Sequence, residues 1–147
     1  MRQRGVSLME LLIVVSIIGI LSAIAIPSYS AYRLRVVRNE GKDCLLDLQR
    51  RMEGFYVRNN RYTETLSALY PSAGTSLTCG ESSAYAVSIL AATAACPVTR
   101  CYQLRATPAT QQAADGYLTL SFDYAQRDPN LRLVKTRVKG AAVLPWE

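Results

Sequence analysis

Glu10 is the one charged residue between Val6 and Ile26, in the run VSLMELLIVVSIIGILSAIAI. A carboxylate held in hydrocarbon is disfavoured by about 2.5–3.5 kcal/mol on insertion scales. An acid at such a place calls for a partner, and the run contains no Lys, Arg or His to supply one. Cleavage after Gly5 would create an α-amino group on Val6. The amine of a second copy could then pair with Glu10 when such helices bundle. The plainer reading is that Glu10 lies near the lipid headgroups and reaches out to them.

The other reactive side chains exclude most catalysis. There is no histidine, which removes Ser-His-Asp and Cys-His nucleophile systems and the commonest metal ligand. Glu40 with Asp43, and Asp43 with Asp47, are carboxylates at helical spacing. They stand among Arg38, Lys42 and Arg50, so ion pairing along a helix is the preferred use. No phosphate-loop or GxGxxG pattern occurs. The chain reads as a non-enzyme with no cofactor and no metal. Cys44, Cys79, Cys96 and Cys101 lack the paired CxxC spacing of a zinc site, so disulfides are expected. Four cysteines allow three pairings; the expectation is Cys96 with Cys101, and Cys44 with Cys79. Lys135, Arg137 and Lys139 alternate, which puts all three on one face of a strand. A solvated edge strand is the first reading of that face, and contact with DNA phosphates the second.

The elements that position these residues follow from pattern. A helix rises ~1.5 Å per residue, so Val6 to Ile26 spans roughly 30 Å, the thickness of a bilayer core. Pro27 removes one helical hydrogen bond and should kink the helix. Beyond it Val37, Gly41, Cys44, Leu45, Leu48, Met52 and Phe55 recur at three- and four-residue steps. One long kinked helix from Val6 to about Val57 is expected, ended by Arg58-Asn59-Asn60-Arg61. Tyr62 to Ser83 reads as a loop with one short helical turn near Glu64 to Tyr70, pinned by Cys79. Tyr85–Leu90, Cys101–Thr107 and Tyr117–Phe122 alternate as strands, with Leu131–Val138 a possible fourth. Trp146 should pack on this domain. The fold class is α+β: a long helix packed by its C-terminal half on a three- to four-stranded antiparallel sheet. The expected divisions are 1–5, 6–27, 28–58 and 59–147.

The 147 residues carry a formal charge of +6; losing Arg2 and Arg4 would leave 15 basic against 11 acidic residues, a net +4. Such a mild excess fits a solvated surface first and a polyanion partner second. An ordinary secretory signal is a rival for the N-terminus. Arg2 and Arg4 would be its n-region, Leu11 to Leu21 its h-region and Ala23-Ile24-Ala25 its cleavage site. That cleavage leaves Ile26-Pro27 at the new terminus, an awkward substrate. An uncleaved anchor is a third reading. Arginines flank both ends of the apolar run, so charge alone does not orient it.

RGVSLMELLIVVSIIGILSAIAIPSYSAY resembles the N-terminus of a type IV prepilin. Family members have a short basic leader ending in Gly, an apolar residue, then Glu at the fifth mature position. Gly5, Val6 and Glu10 fit that frame, as do Pro27, Tyr29 and Tyr32; Val6 stands where most members carry Phe. The close match covers roughly residues 1–35, and RNEGKDCLLDLQRRMEGFYVRNNRYT more loosely resembles minor pilins. No Cys follows Cys101, so the C-terminal disulfide common in the family is absent.

The resemblance implies residues 1–5 as a leader cut by a prepilin peptidase after Gly5, N-methylation of Val6, and filament assembly needing Glu10. It implies a structural subunit of a type IV pilus, with adhesion, twitching motility or DNA uptake among its roles. Its partners would be other pilin subunits, the peptidase and the inner membrane before assembly, with nucleic acid a less favoured partner. The final location would be the cell-surface pilus, with the head outside the cytoplasm. Alternatives are a type II secretion pseudopilin, a DNA-binding pilin, and, more remotely, a secreted periplasmic domain.

Overall fold

A computed structural model describes residues 7–80 and 83–146, the side chain of Gln111 excepted. The expected leader, Gly5 and Val6 lie outside the described residues. Helix α1 is Leu8–Asn59 and continues through Pro27. The chain divides into two compact units, Met1–Arg35 and Val36–Glu147.

In the first unit no described residue is buried. Its large apolar side chains are all around the helix rather than on one stripe, from Leu8 at 77% exposure to Ile26 at 69%. Such a pattern belongs to a helix meant for lipid or for other helices. Its serines satisfy themselves locally: Ser16 Oγ donates to the Leu12 carbonyl at 2.8 Å and Ser30 Oγ to the Pro27 carbonyl at 2.9 Å. A hydroxyl that returns its proton to the helix costs little in an apolar setting.

The second unit combines the rest of α1 with six strands: β1 Leu77–Cys79, β2 Tyr85–Ile89, β3 Cys101–Pro108, β4 Tyr117–Asp123, β5 Leu133–Lys139 and β6 Ala142–Pro145. They pair in chain order, each antiparallel to the next. The sheet is therefore an antiparallel meander of six strands, not three or four. A 3-10 turn, Thr110–Asp115, joins β3 to β4, and a short helix, α2 Pro129–Arg132, precedes β5.

Alternation decides what the sheet buries. Tyr85 and Val87 of β2, Tyr102, Leu104 and Ala106 of β3, and Leu118 and Leu120 of β4 face one side and are buried. Leu45, Leu48 and Met52 of α1 are fully buried in the same cluster. Gly41 allows the close approach: a Cβ there would sit 3.0 Å from the Tyr85 ring and 3.2 Å from Leu118. Gly116 has φ of 82°, and a Cβ would lie 2.1 Å from the Val138 carbonyl, so only glycine turns the chain into β4 beside β5.

Two disulfides close the head. Cys44 of α1 joins Cys79 of β1, and Cys96 joins Cys101, with Cα separations of 5.8 and 4.9 Å. Loop-closure entropy makes the longer link worth roughly 4 kcal/mol and the short ring roughly 2 kcal/mol. Trp146 is part-buried against the core, and its indole N–H donates to the Thr136 carbonyl at 2.9 Å.

Candidate functional site

Three places carry the charge chemistry. The first is Glu10, in the opening turn of α1. It stands among Leu8, Met9, Leu11, Leu12 and Ile13, each more than half exposed. Among the described residues no cation pairs with it.

The second is interior, at the end of the head where α1 enters it. Arg38 reads from sequence as a cation for ion pairing along the helix. It is in fact buried at 9% exposure and forks onto Asp115, with Nε 2.7 Å from Oδ2 and Nη2 on Oδ1. Tyr85 Oη donates to Asp115 Oδ2 at 2.8 Å, and Arg137 Nη1 donates to Oδ1 at 3.1 Å. Burial by itself would raise the Asp115 pKa, but the hydrogen bonds from Arg38 and Tyr85 and the charges of Arg38 and Arg137 outweigh it and hold the carboxyl below its usual range. Burial, and then the bond to Asp115, push the Tyr85 phenol well up. Sequence reasoning missed this cluster because Asp115 and Arg38 are distant along the chain and Asp115-Gly116 reads only as a turn.

This cluster corrects the expectation for Lys135, Arg137 and Lys139. They do share a face, but β5 is not an edge, because β6 pairs with it. Register puts Lys135 opposite Leu120 and Arg137 opposite Leu118, on the side of the sheet that carries the core. Arg137 is only 15% exposed and engaged by Asp115. Lys135 Nζ lies 5.5 Å from the centre of the Trp146 ring. Only Lys139 of the three is classed as exposed. The tail Leu144-Pro145-Trp146, which carries no strong strand pattern, is what covers this edge.

The third place is the opposite end of the sheet. The ends of β2 and β4 and the starts of β3 and β5 meet there, together with the last turn of α1. Tyr62 N–H donates to the Val98 carbonyl at 2.7 Å, and Tyr124 N–H to the Arg100 carbonyl at 2.9 Å. Arg132 Nε donates to the Gln126 carbonyl at 2.9 Å, and its guanidinium stands 5.6 Å from the Tyr124 ring centre. Asp128 caps α2 by accepting from Asn130 N–H at 2.9 Å.

Elsewhere the carboxylates follow the simpler plan. Asp47 accepts from Arg50 and Arg51, each at 3.0 Å, and from the Tyr70 hydroxyl. The Tyr70 bond leads the causes that lower the Asp47 pKa, while Tyr70, chiefly through burial, is pushed up to about 12. Glu53 accepts from Tyr102 at 2.9 Å beneath a packed group of Tyr56, Tyr62, Tyr102 and Phe122. Among the described residues no group of three or more acidic or cysteine side chains could hold a metal ion.

The family model described as "Type IV minor pilin ComP, DNA uptake sequence receptor" matches residues 27–121. The chain belongs to this family of type IV minor pilins. A second family model, the prokaryotic N-terminal methylation motif, matches residues 1–26 of the pilin. Among curated proteins, the pilin is 43% identical over 63 residues to the type IV major pilin protein PilA of Myxococcus xanthus, covering 43% of its own length. It is 28% identical over 68 residues, 46% of its length, to the type II secretion system core protein G of Pectobacterium carotovorum. It is 56% identical over 39 residues, 26% of its length, to the type IV major fimbrial protein FimA of Dichelobacter nodosus. These alignments span 29%, 44% and 24% of the respective relatives. No solved structure matches the pilin.

Proposed function

We propose that this pilin is a minor subunit of a type IV pilus, drawn from the inner membrane into the filament through α1. The observation that carries the reading is the first unit of the helix. Its apolar side chains are exposed on every side, and its single acid has no ion-pair partner among the described residues. The apolar surface is unfavourable in water and the acid is unfavourable in lipid. A bundle of like helices accommodates both, where the α-amine of one subunit meets Glu10 of the next. In this reading a prepilin peptidase cuts after Gly5, Val6 becomes the methylated N-terminus, and the head lies outside the cytoplasm. The motif matched over residues 1–26 supports that processing. The likeness to a type II secretion core protein keeps a pseudopilin role as the rival. Mass analysis of the exported protein and of sheared surface filaments tests the reading. The expected result is a chain beginning at N-methylated Val6 and present in the filaments. A chain beginning at Ile26, or one absent from filaments, overturns it.

A second reading rides on the first: the head is a receptor for DNA. The match to a family described as a DNA uptake sequence receptor covers β1, β2, β3 and most of β4 in the head and supports it. So does a cation excess whose distribution over the head is uneven.

A further inference from the structure

Many basic side chains of the head are already committed. Arg38 and Arg137 serve Asp115, Arg50 and Arg51 serve Asp47, Arg105 covers the Tyr117 ring, and Lys135 covers Trp146. Arg58, Arg61 and Arg127 differ, and Arg132 has the Tyr124 ring and the Gln126 carbonyl as partners but no acid. Among the described residues none of the four has a carboxylate within ion-pair distance. They come from separate parts of the chain, yet the topology brings them to one end of the sheet. Arg58 and Arg61 flank the end of α1, which is fastened to the Cys96–Cys101 loop through Tyr62 and Val98. That loop is fastened to the β4–α2 turn through Arg100 and Tyr124; the turn carries Arg127, and α2 after it ends on Arg132. Arg100 joins them, only loosely paired, at 3.8 Å from Asp123. Tyr124, 61% exposed, stands among them.

We infer that this end of the head, formed by Arg58, Arg61, Arg100, Arg127, Arg132 and Tyr124, is the surface that grips the DNA backbone. The inference rests on the DNA-receptor reading above and names its site. Every cation in the group is arginine. A planar guanidinium offers paired donors to a phosphate and is more weakly hydrated than a lysine ammonium. Several such groups at one end match the repeating charge of a nucleic-acid backbone better than one isolated anion. The exposed tyrosine supplies a ring for a sugar or an unstacked base, and arginine against tyrosine keeps the guanidinium oriented. The acids nearby are outnumbered, three against five arginines: Asp128 caps α2, Asp123 accepts from Ala125 N–H at 2.9 Å and Glu64 from Ala92 N–H at 2.6 Å. The alternating face of β5 cannot play this part, because Arg137 is withdrawn to Asp115 and Lys135 to Trp146.

Full-length protein in zwitterionic detergent, titrated against labelled duplex DNA by fluorescence anisotropy, tests the site. The variants are Arg127→Gln with Arg132→Gln, Arg61→Gln from the separate α1 segment, and Lys135→Gln with Lys139→Gln as the comparison pair. Unchanged thermal unfolding and intact disulfides establish that each is folded. The expected result is a loss of affinity of about tenfold or more for the double arginine variant, with its salt slope reduced by about 2. Arg61→Gln should lower the slope by about 1, and the lysine pair should change little. Binding by the parent that the arginine variants leave intact overturns this site and leaves the DNA reading standing. No binding by the parent at low salt overturns both. Loss of binding to anionic lipid vesicles in the arginine variants, with DNA binding retained, overturns the site in favour of a membrane contact.

Discussion

The two halves of α1 use the same backbone and reach opposite solutions. Before Arg35 the helix buries nothing, and Leu11, Leu12, Ile17 and Ile18 are each more than half exposed. After Val36 a stripe of its apolar residues packs inward, with Leu45, Leu48 and Met52 fully buried against the sheet. The charges follow the same division. Glu10 has no ion-pair partner among the described residues, whereas Arg38 is buried on a partner supplied by its own head. The first half leaves its energetic needs to be met by other molecules, while the second half meets them internally. Separate substitutions should therefore break assembly and folding independently.

The largest effect should come from Glu10→Val. In a helix bundle an apolar surface alone gives little register, because a shifted neighbour buries nearly the same area. A charge pair discriminates, since a mispaired helix leaves two charges uncompensated in an apolar interior, a cost of several kcal/mol. Glu10→Val should be exported and keep its head folded, with an unchanged thermal midpoint, yet fall at least about tenfold in sheared filaments, the equivalent of 1.4 kcal/mol. Normal incorporation beside the other pilins would remove the charge-pair account.

That need was legible from one line of sequence, because an acid in an uncharged apolar run is anomalous without any structure. The amphipathic stripe of α1 and strands β2, β3 and β4 were legible too, through periods of 3.6 and 2 that persist long enough to count. The ends of the sheet were not. β1 and β6 are only three and four residues long, and β6 contains Pro145, so neither carries a readable alternation. Missing β6 made β5 look like an edge and its basic face look free. Arg38 misled for a related reason. A charged residue on a helix reads as solvated unless its partner is known, and Asp115 lies in the turn after β3, 77 residues away along the chain. The arginines gathered at the far end of the sheet have no local motif either; hairpin ends and one helix terminus assemble them.

The next largest effect belongs to the head alone. Asp115→Ala leaves Arg38 and Arg137 facing each other without their anion, and breaking a buried pair in this way costs about 3–5 kcal/mol. Chemical denaturation of the full chain should read that loss, and filament entry should fall only as far as the folded population does. The pH dependence has a defined sign. The folded pKa of Asp115 is lowered, below an unfolded value near ~3.9. Its contribution to stability is therefore complete above about pH 4 and is lost as pH falls through the folded pKa. The parent should lose stability on acidification over that range, and Asp115→Asn should lack this part of the loss. An identical acid profile in the two proteins would detach Asp115 from the stability of the head.

The smallest effect should come from Arg50→Gln, and its smallness sharpens the contrast with Arg38. Both arginines lie on the second half of α1, and both bind an aspartate. The Arg50 side chain is 78% exposed and that of Asp47 39% exposed, at a spacing of three residues. Water screens such a pair, and holding two long side chains in place offsets most of its attraction, so about 0–0.5 kcal/mol is expected. Asp47 also keeps Arg51 and the Tyr70 hydroxyl when Arg50 is lost. Asp115 likewise keeps Tyr85 and Arg137 when Arg38 is lost, but the Arg38 pair is buried, with Asp115 3% exposed. The two substitutions Arg50→Gln and Arg38→Gln, compared by denaturation under the same salt, should therefore differ by several kcal/mol, on the order of the buried-pair penalty. The difference should persist at high salt, because screening reaches the exposed pair and not the buried one. Equal losses would mean that burial at the entrance of the head contributes nothing beyond what an exposed helical pair provides.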